Sequence, residues 1–178
     1  MKYLFAYLNT LVSLLVVTSG SIGLFPYRVG RVWLLNFVLC LVGWEALMTT
    51  GFLGGDSAKD RGATLNPVAN MISMSAGDGL IAVVQVEAVF RICGEDGFRK
   101  WSWKAFSIMF LIGTIQNIIV SIVLRKRLVG YRLSWAPMIP IMGHAMAQNQ
   151  EPWVIQPFIL YSILVKWHDE ILGIKQSI

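Results

Sequence analysis

Two long apolar runs, residues 33–53 and 67–93, are separated only by the short polar stretch GGDSAKDRGATLN at 54–66. Each run is long enough to cross a bilayer as a helix, which takes about 20 apolar residues. Each also carries a carboxylate within it, Glu45 in the first and Asp78 in the second. A charged Asp at the centre of a membrane helix costs at least about 2.5–3.5 kcal/mol. A chain that keeps two such groups is therefore expected to use them.

The rest of the composition agrees with a membrane setting. Of 178 residues, 56% are hydrophobic and 14% charged, whereas soluble domains carry about 25% charged residues. The expected fold is all-α, a polytopic transmembrane helical bundle of five or six spans forming a single integral membrane domain over 1–178. The expected segments are 3–25, 33–53, 67–93, 105–124 and 153–171, with a short or re-entrant segment near 134–148 broken by Pro137 and Pro140. The first of these could pass for a secretory signal, and we read it as a span. Pro26 with the basic stretch 27–31 reads as a loop, and Glu151-Pro152 as the opening of the last segment. Tyr27, Trp33, Trp101, Trp103, Trp135 and Trp153 sit at segment ends, where interfacial aromatics gather.

The net charge of +5 suits headgroup contact and orientation signals better than nucleic acid, which is not expected as a partner. With six spans, the side holding Met1 carries nine Lys and Arg residues against six. That weakly favours a cytoplasmic N-terminal side. Cys40 and Cys93 have no CxxC partner and read as buried thiols.

Depth along each helix brings the polar residues together. At 1.5 Å per residue, Glu45 lies about 12 Å and Asp78 about 17 Å from the side of Met1. Gln116 and Asn117 lie about 11 Å from it, and His144 about 15 Å if its segment is helical from Ser134. Asn70, Ser73, Gly77 and Gln85 share one stripe of segment 67–93, with Asp78 at its edge. Glu45 and Thr49 share a face at i,i+4 spacing. Glu87 and Arg91, also i,i+4, read as an interfacial ion pair.

Glu45 and Asp78 are the candidate catalytic residues. A desolvated carboxyl favours its neutral form, which a general acid needs, while its partner stays ionised as base. Asn70, Thr49, Gln116, Asn117 and His144, with Asp56, Asp60 and Arg61 of the connecting loop, are the candidate substrate-binding residues. His144 with both carboxylates has the composition of a metal site, yet no HxxH or ExxH spacing supports one, and no metal is expected. The residues name no cofactor.

The Trp44-Glu45 pair is superficially similar to small membrane terpene cyclases, which protonate an alkene with intramembrane acids. Two residues identify no family, and no family is assigned. The leading expectation is an acid–base enzyme of isomerase, cyclase or transferase type on a lipid-like or isoprenoid substrate. The alternatives are a proton- or cation-coupled transporter and a structural subunit of a larger membrane complex. The expected partners are membrane lipid and a homo-oligomer or larger membrane assembly.

Overall fold

A computed structural model of the chain describes residues 4–45, 67–118 and 144–174. These residues are helical throughout apart from turns. The long helices are α1 (Leu4–Ser21), α2 (Tyr27–Leu39), α3 (Pro67–Cys93), α5 (Trp103–Ile118) and α6 (His144–Lys166). Two short helices, α4 (Asp96–Arg99) and α7 (His168–Leu172), lie in connections. The helix of α2 continues into a π-helical stretch, Cys40–Glu45, a wider winding that is often found beside functional sites.

Helix α3 is the axis of the bundle and touches α1, α2, the π stretch, α4 and α5. Side-chain bonds give the directions of its neighbours. Arg28 meets Glu87 and Asn36 meets Asp78, so α2 runs antiparallel to α3. Gln85 meets Met109, and Gly97 sits among Val89, Cys93 and Ala105, so α5 is antiparallel to α3 as well. Gln156 of α6 meets Asn36, and Tyr161 meets the 94–102 connection. Helix α6 therefore ends beside that connection, and α7 packs on α2.

One end of the bundle thus holds the 22–26 turn, the 94–102 connection and α7. Its core is apolar: Val32, Val86, Val89, Phe98, Met109, Leu160 and Leu164 are buried together. Each such Leu or Phe contributes about 1.5–3 kcal/mol by leaving water. Tyr161 closes this end. Its hydroxyl donates to the Gly97 carbonyl and accepts the Ser102 N–H at 3.0 Å. Gly94, at φ 66°, ends α3 in the left-handed conformation that only glycine adopts without cost.

Several expected boundaries shift. Residues 27–31 are not a loop but the first turn of α2, begun after Pro26 at φ −52°. A Pro just before a helix presets its entry and blocks extension backwards. Glu151-Pro152 does not open the last segment, because α6 already starts at His144 and runs through Pro152 and Pro157. Pro157 is buried within the bundle, and packing there outweighs the bond its missing N–H forgoes. The separate segment expected over 134–148 is therefore partly merged into α6, and its residues 134–143 lie outside the described ones. The transmembrane part of the expectation meets a direct test: among the described residues, no helix is long and apolar enough to cross a membrane.

The tightest contact on α3 is at Gly79. A Cβ there would lie 2.7 Å from Trp33 Nε1 and 3.1 Å from the Trp33 carbonyl oxygen. Gly79→Ala is expected to destabilise the protein by about 1–3 kcal/mol through this overlap. Gly43→Ala meets open space and should cost less in the same thermal-unfolding series.

Candidate functional site

The other end of the bundle is built around the Ala76-Gly77-Asp78-Gly79 stretch of α3. Three side chains from two helices bond its backbone. Ser13 of α1 donates to the Ala76 carbonyl at 3.1 Å, and Trp33 Nε1 of α2 donates to the same oxygen at 3.2 Å. Asn36 Nδ2 donates to the Asp78 carbonyl at 2.8 Å. Asn36 is fully buried, with its amide also donating to Cys40 Sγ at 3.6 Å and accepting Gln156 Nε2 at 2.6 Å. One asparagine therefore joins α2, α3 and α6.

The local reason lies in the sequence of each helix. Asn36 and Cys40 are one turn apart and share a face. Gly79 gives Trp33 room to lie against α3, and the Trp33 ring stacks on Phe37 at 5.0 Å between centroids. Ser13 is a buried hydroxyl of α1. Buried amides and hydroxyls of this kind must be bonded, because an unsatisfied one costs about 1–3 kcal/mol.

The sequence-derived residues fall unevenly on this frame. Asp78 is half-buried on α3, at the angular position of Ala82, Gln85 and Val89, the arc that faces α5. Gln116 lies on the α5 arc of Ala105, Met109 and Gly113, which faces α3. Two turns from the Gln85–Met109 bond, the antiparallel register sets Asp78 and Gln116 at one level.

Glu45 ends the π-helical stretch, which packs on α3. Asn70 is in the first turn of α3, Asn117 near the end of α5, and His144 at the start of α6. The side chains of Glu45, Asn70, Asn117 and His144 lie outside the described residues. So do Thr49, Asp56, Asp60 and Arg61 altogether. Among the described residues, no three His, Cys, Asp or Glu side chains gather to hold a metal.

One pairing is corrected. Glu87 bonds Arg28, not Arg91. The Arg28 Nε and Nη2 atoms donate to the two Glu87 oxygens at 2.8 and 3.0 Å, and the guanidinium lies 4.3 Å from the Phe90 ring centroid. The forked guanidinium matches both carboxylate oxygens at once, while Arg91 is exposed. An i,i+4 spacing offers proximity on one helix, but the first turn of α2 offers better geometry from another.

Sequence reasoning passes over Ser13, Trp33, Asn36 and Gln156 as site residues. The available signal was an amide in each of two apolar runs. What those amides bond depends on how the helices meet.

Compared with family models, curated proteins and solved structures, the chain matches none.

The Asn36–Gln156 bond should be measurable as a coupling. In a double-mutant cycle of Asn36→Ala and Gln156→Ala, the thermal-unfolding free energies are expected to be non-additive by about 0.5–3 kcal/mol. Additive values would mean that the amides do not act as a pair.

Proposed function

We propose that this chain is a multi-pass membrane protein whose five long helices cross the bilayer around a polar interior, with an acid–base centre at Asp78. The observation that carries the membrane reading is an inside-out distribution of polarity. Leu14, Val42 and Val84 are 60%, 71% and 53% exposed, while Asn36, Ser75 and Gln85 are each 0% exposed. Every long helix presents large apolar side chains outward. In water such faces would drive association. In lipid they are at home, and buried small and amide residues are what hold helices together there.

The same distribution accounts for the modest hydropathy of single helices. Ser73, Ser75, Asp78 and Gln85 lower the average along α3, yet the serines and Gln85 are buried and Asp78 is half-buried. A linear average charges the helix for groups that lipid would not meet. The 94–102 end also has the make-up of a membrane interface. Tyr27, Trp103 and Trp167 are exposed there, with Lys100, Lys104 and Lys166 among them.

Five crossings place Lys166 with Arg28 and Lys100 rather than with Met1. The Lys and Arg tally then narrows to eight against seven, and charge no longer favours either orientation.

Within this reading, the substrate is lipid-like or isoprenoid, and reaction by isomerase, cyclase or transferase chemistry needs one group to give a proton and another to take it. Glu45 and Asp78 would share those roles. They stand on adjoining elements, since the π-helical stretch packs on α3. Gln116, level with Asp78 across α5, would orient the carboxylate or the substrate. A second reading, a proton- or cation-coupled transporter, draws support from the buried Ser75 and Gln116 side-chain oxygens, which have no hydrogen-bond partner among the described residues.

Two measurements test these readings. In a background lacking Cys40 and Cys93, the variants Gly23→Cys, Lys100→Cys and Asp169→Cys are expected to react with an impermeant maleimide from the same face of the membrane. Labelling of Asp169→Cys from the opposite face would overturn the five-crossing arrangement. For the chemistry, the protein in lipid nanodiscs with polyprenyl lipid and heavy water should place deuterium in the lipid. Asp78→Asn and Glu45→Gln should each slow that exchange by about 10²–10⁴-fold. Unchanged exchange in both variants would rule the acid–base reading out.

A further inference from the structure

We infer that the start of α5 docks one anionic phospholipid, its phosphate at Lys100 and Lys104 and its chain on Trp103, Phe106 and Phe158. The inference rests on the membrane reading and is independent of the acid–base one. The starting point is positive charge left over at the 94–102 end. Lys100 and Lys104 are exposed, and neither forms an ion pair among the described residues. The carboxylates of the same connection face another cation: Glu95 and Asp96 lie 3.2 and 3.6 Å from Arg99. Four residues of chain span at most about 14 Å, and the turn into α5 shortens that. Two flexible four-carbon lysine stems can therefore serve one headgroup.

The segment between the lysines is held by contacts on its inner side. Lys100 is extended, at φ −147° and ψ 161°. The Ser102 N–H donates to the Tyr161 hydroxyl at 3.0 Å, and Ser102 Oγ accepts the Ala105 N–H at 3.4 Å. Trp101 is half-buried, its ring centroid 4.8 Å from that of Tyr161 and 5.3 Å from that of Phe158. Trp103 is 69% exposed and meets Trp101 edge-on at 5.5 Å. It also meets Phe106 at 5.9 Å, and Phe106 meets Phe158 of α6 at 6.1 Å. Phe158 is itself 49% exposed. A strip of aromatic rings therefore runs from the lysine-flanked segment along the seam between α5 and α6.

The order of charge and rings selects the occupant. Cations stand at the end and apolar rings follow, which matches a molecule with a negative head and an apolar chain. A free phosphate would use the lysines and gain nothing from the strip. A zwitterionic lipid carries its own cation beside its phosphate, so it gains less from the lysines. Tryptophan suits the level between head and chain, being apolar in body and polar at its N–H. Each basic residue near an anionic leaflet is worth roughly fivefold in affinity, so the two lysines together favour an anionic headgroup by more than about tenfold.

The test uses the purified full chain in nanodiscs of phosphatidylcholine and phosphatidylglycerol in equal parts. Native mass spectrometry is expected to show phosphatidylglycerol retained in preference, less so as salt is raised. Tryptophan emission should be quenched more by chain-brominated phosphatidylglycerol than by chain-brominated phosphatidylcholine. The double variant Lys100→Gln, Lys104→Gln should cut the retention preference at least about tenfold. Trp103→Leu should remove most of the extra quenching while leaving the retention salt-sensitive. Arg91→Gln with Lys166→Gln makes the same change of charge at the same end and should keep the preference. An equal loss in that control would mean diffuse attraction and would overturn the site. A wild-type chain that inserts but prefers neither lipid would overturn it as well, with the membrane reading intact. A chain that enters no nanodisc would overturn the membrane reading and the docking site with it.

Discussion

The arrangement of this bundle depends on one buried amide. Asn36 bonds the backbone of α3, a thiol on its own helix and an amide on α6, using both donors and its acceptor. A buried asparagine left half-bonded would destabilise the interior. Its three partners therefore constrain where α3 and α6 can sit relative to α2. Ser13 and Trp33 add α1 and a second contact of α2 at the Ala76 carbonyl. Polar bonds thus set the geometry of one end, and apolar packing around Tyr161 and Phe98 fills the other.

This division has a functional consequence. Where helix faces are held by side chains bonding backbone carbonyls, the carboxylate of Asp78 is not needed to join α3 to α2, because its own carbonyl does that. The side chain lies on the arc that faces α5. At Glu87 the carboxylate itself joins α3 to α2, with both oxygens held by the Arg28 guanidinium. The two acidic groups of α3 thus sit in different surroundings. The difference comes from neighbouring helices, not from local sequence.

Legibility from the sequence varied for identifiable reasons. The 67–93 helix was readable in full, because a Pro suited to the first turn opens it and Gly94 closes it. The first turn of α2 was misread because Arg28 and Arg31 make it look like a loop, although each has a partner: a carboxylate for Arg28 and the Tyr27 ring for Arg31. The start of α6 is misplaced by the sequence because Pro152 and Pro157 suggest a break, and packing against α5 with the Gln156–Asn36 bond to α2 explains why none occurs.

The sequence by itself determined that the chain is helical, that its helices carry apolar faces, and that Asp78 and Gln85 interrupt one of them. Those are properties of residue type and spacing along a single helix. Only the tertiary structure decided that α6 ends beside the 94–102 connection, that Glu87 belongs to Arg28, and that the Ser75 and Gln116 side-chain oxygens are buried without a hydrogen-bond partner among the described residues. Each of these depends on which helix lies alongside which, and at what register. A period of 3.6 residues specifies a face but not what that face meets.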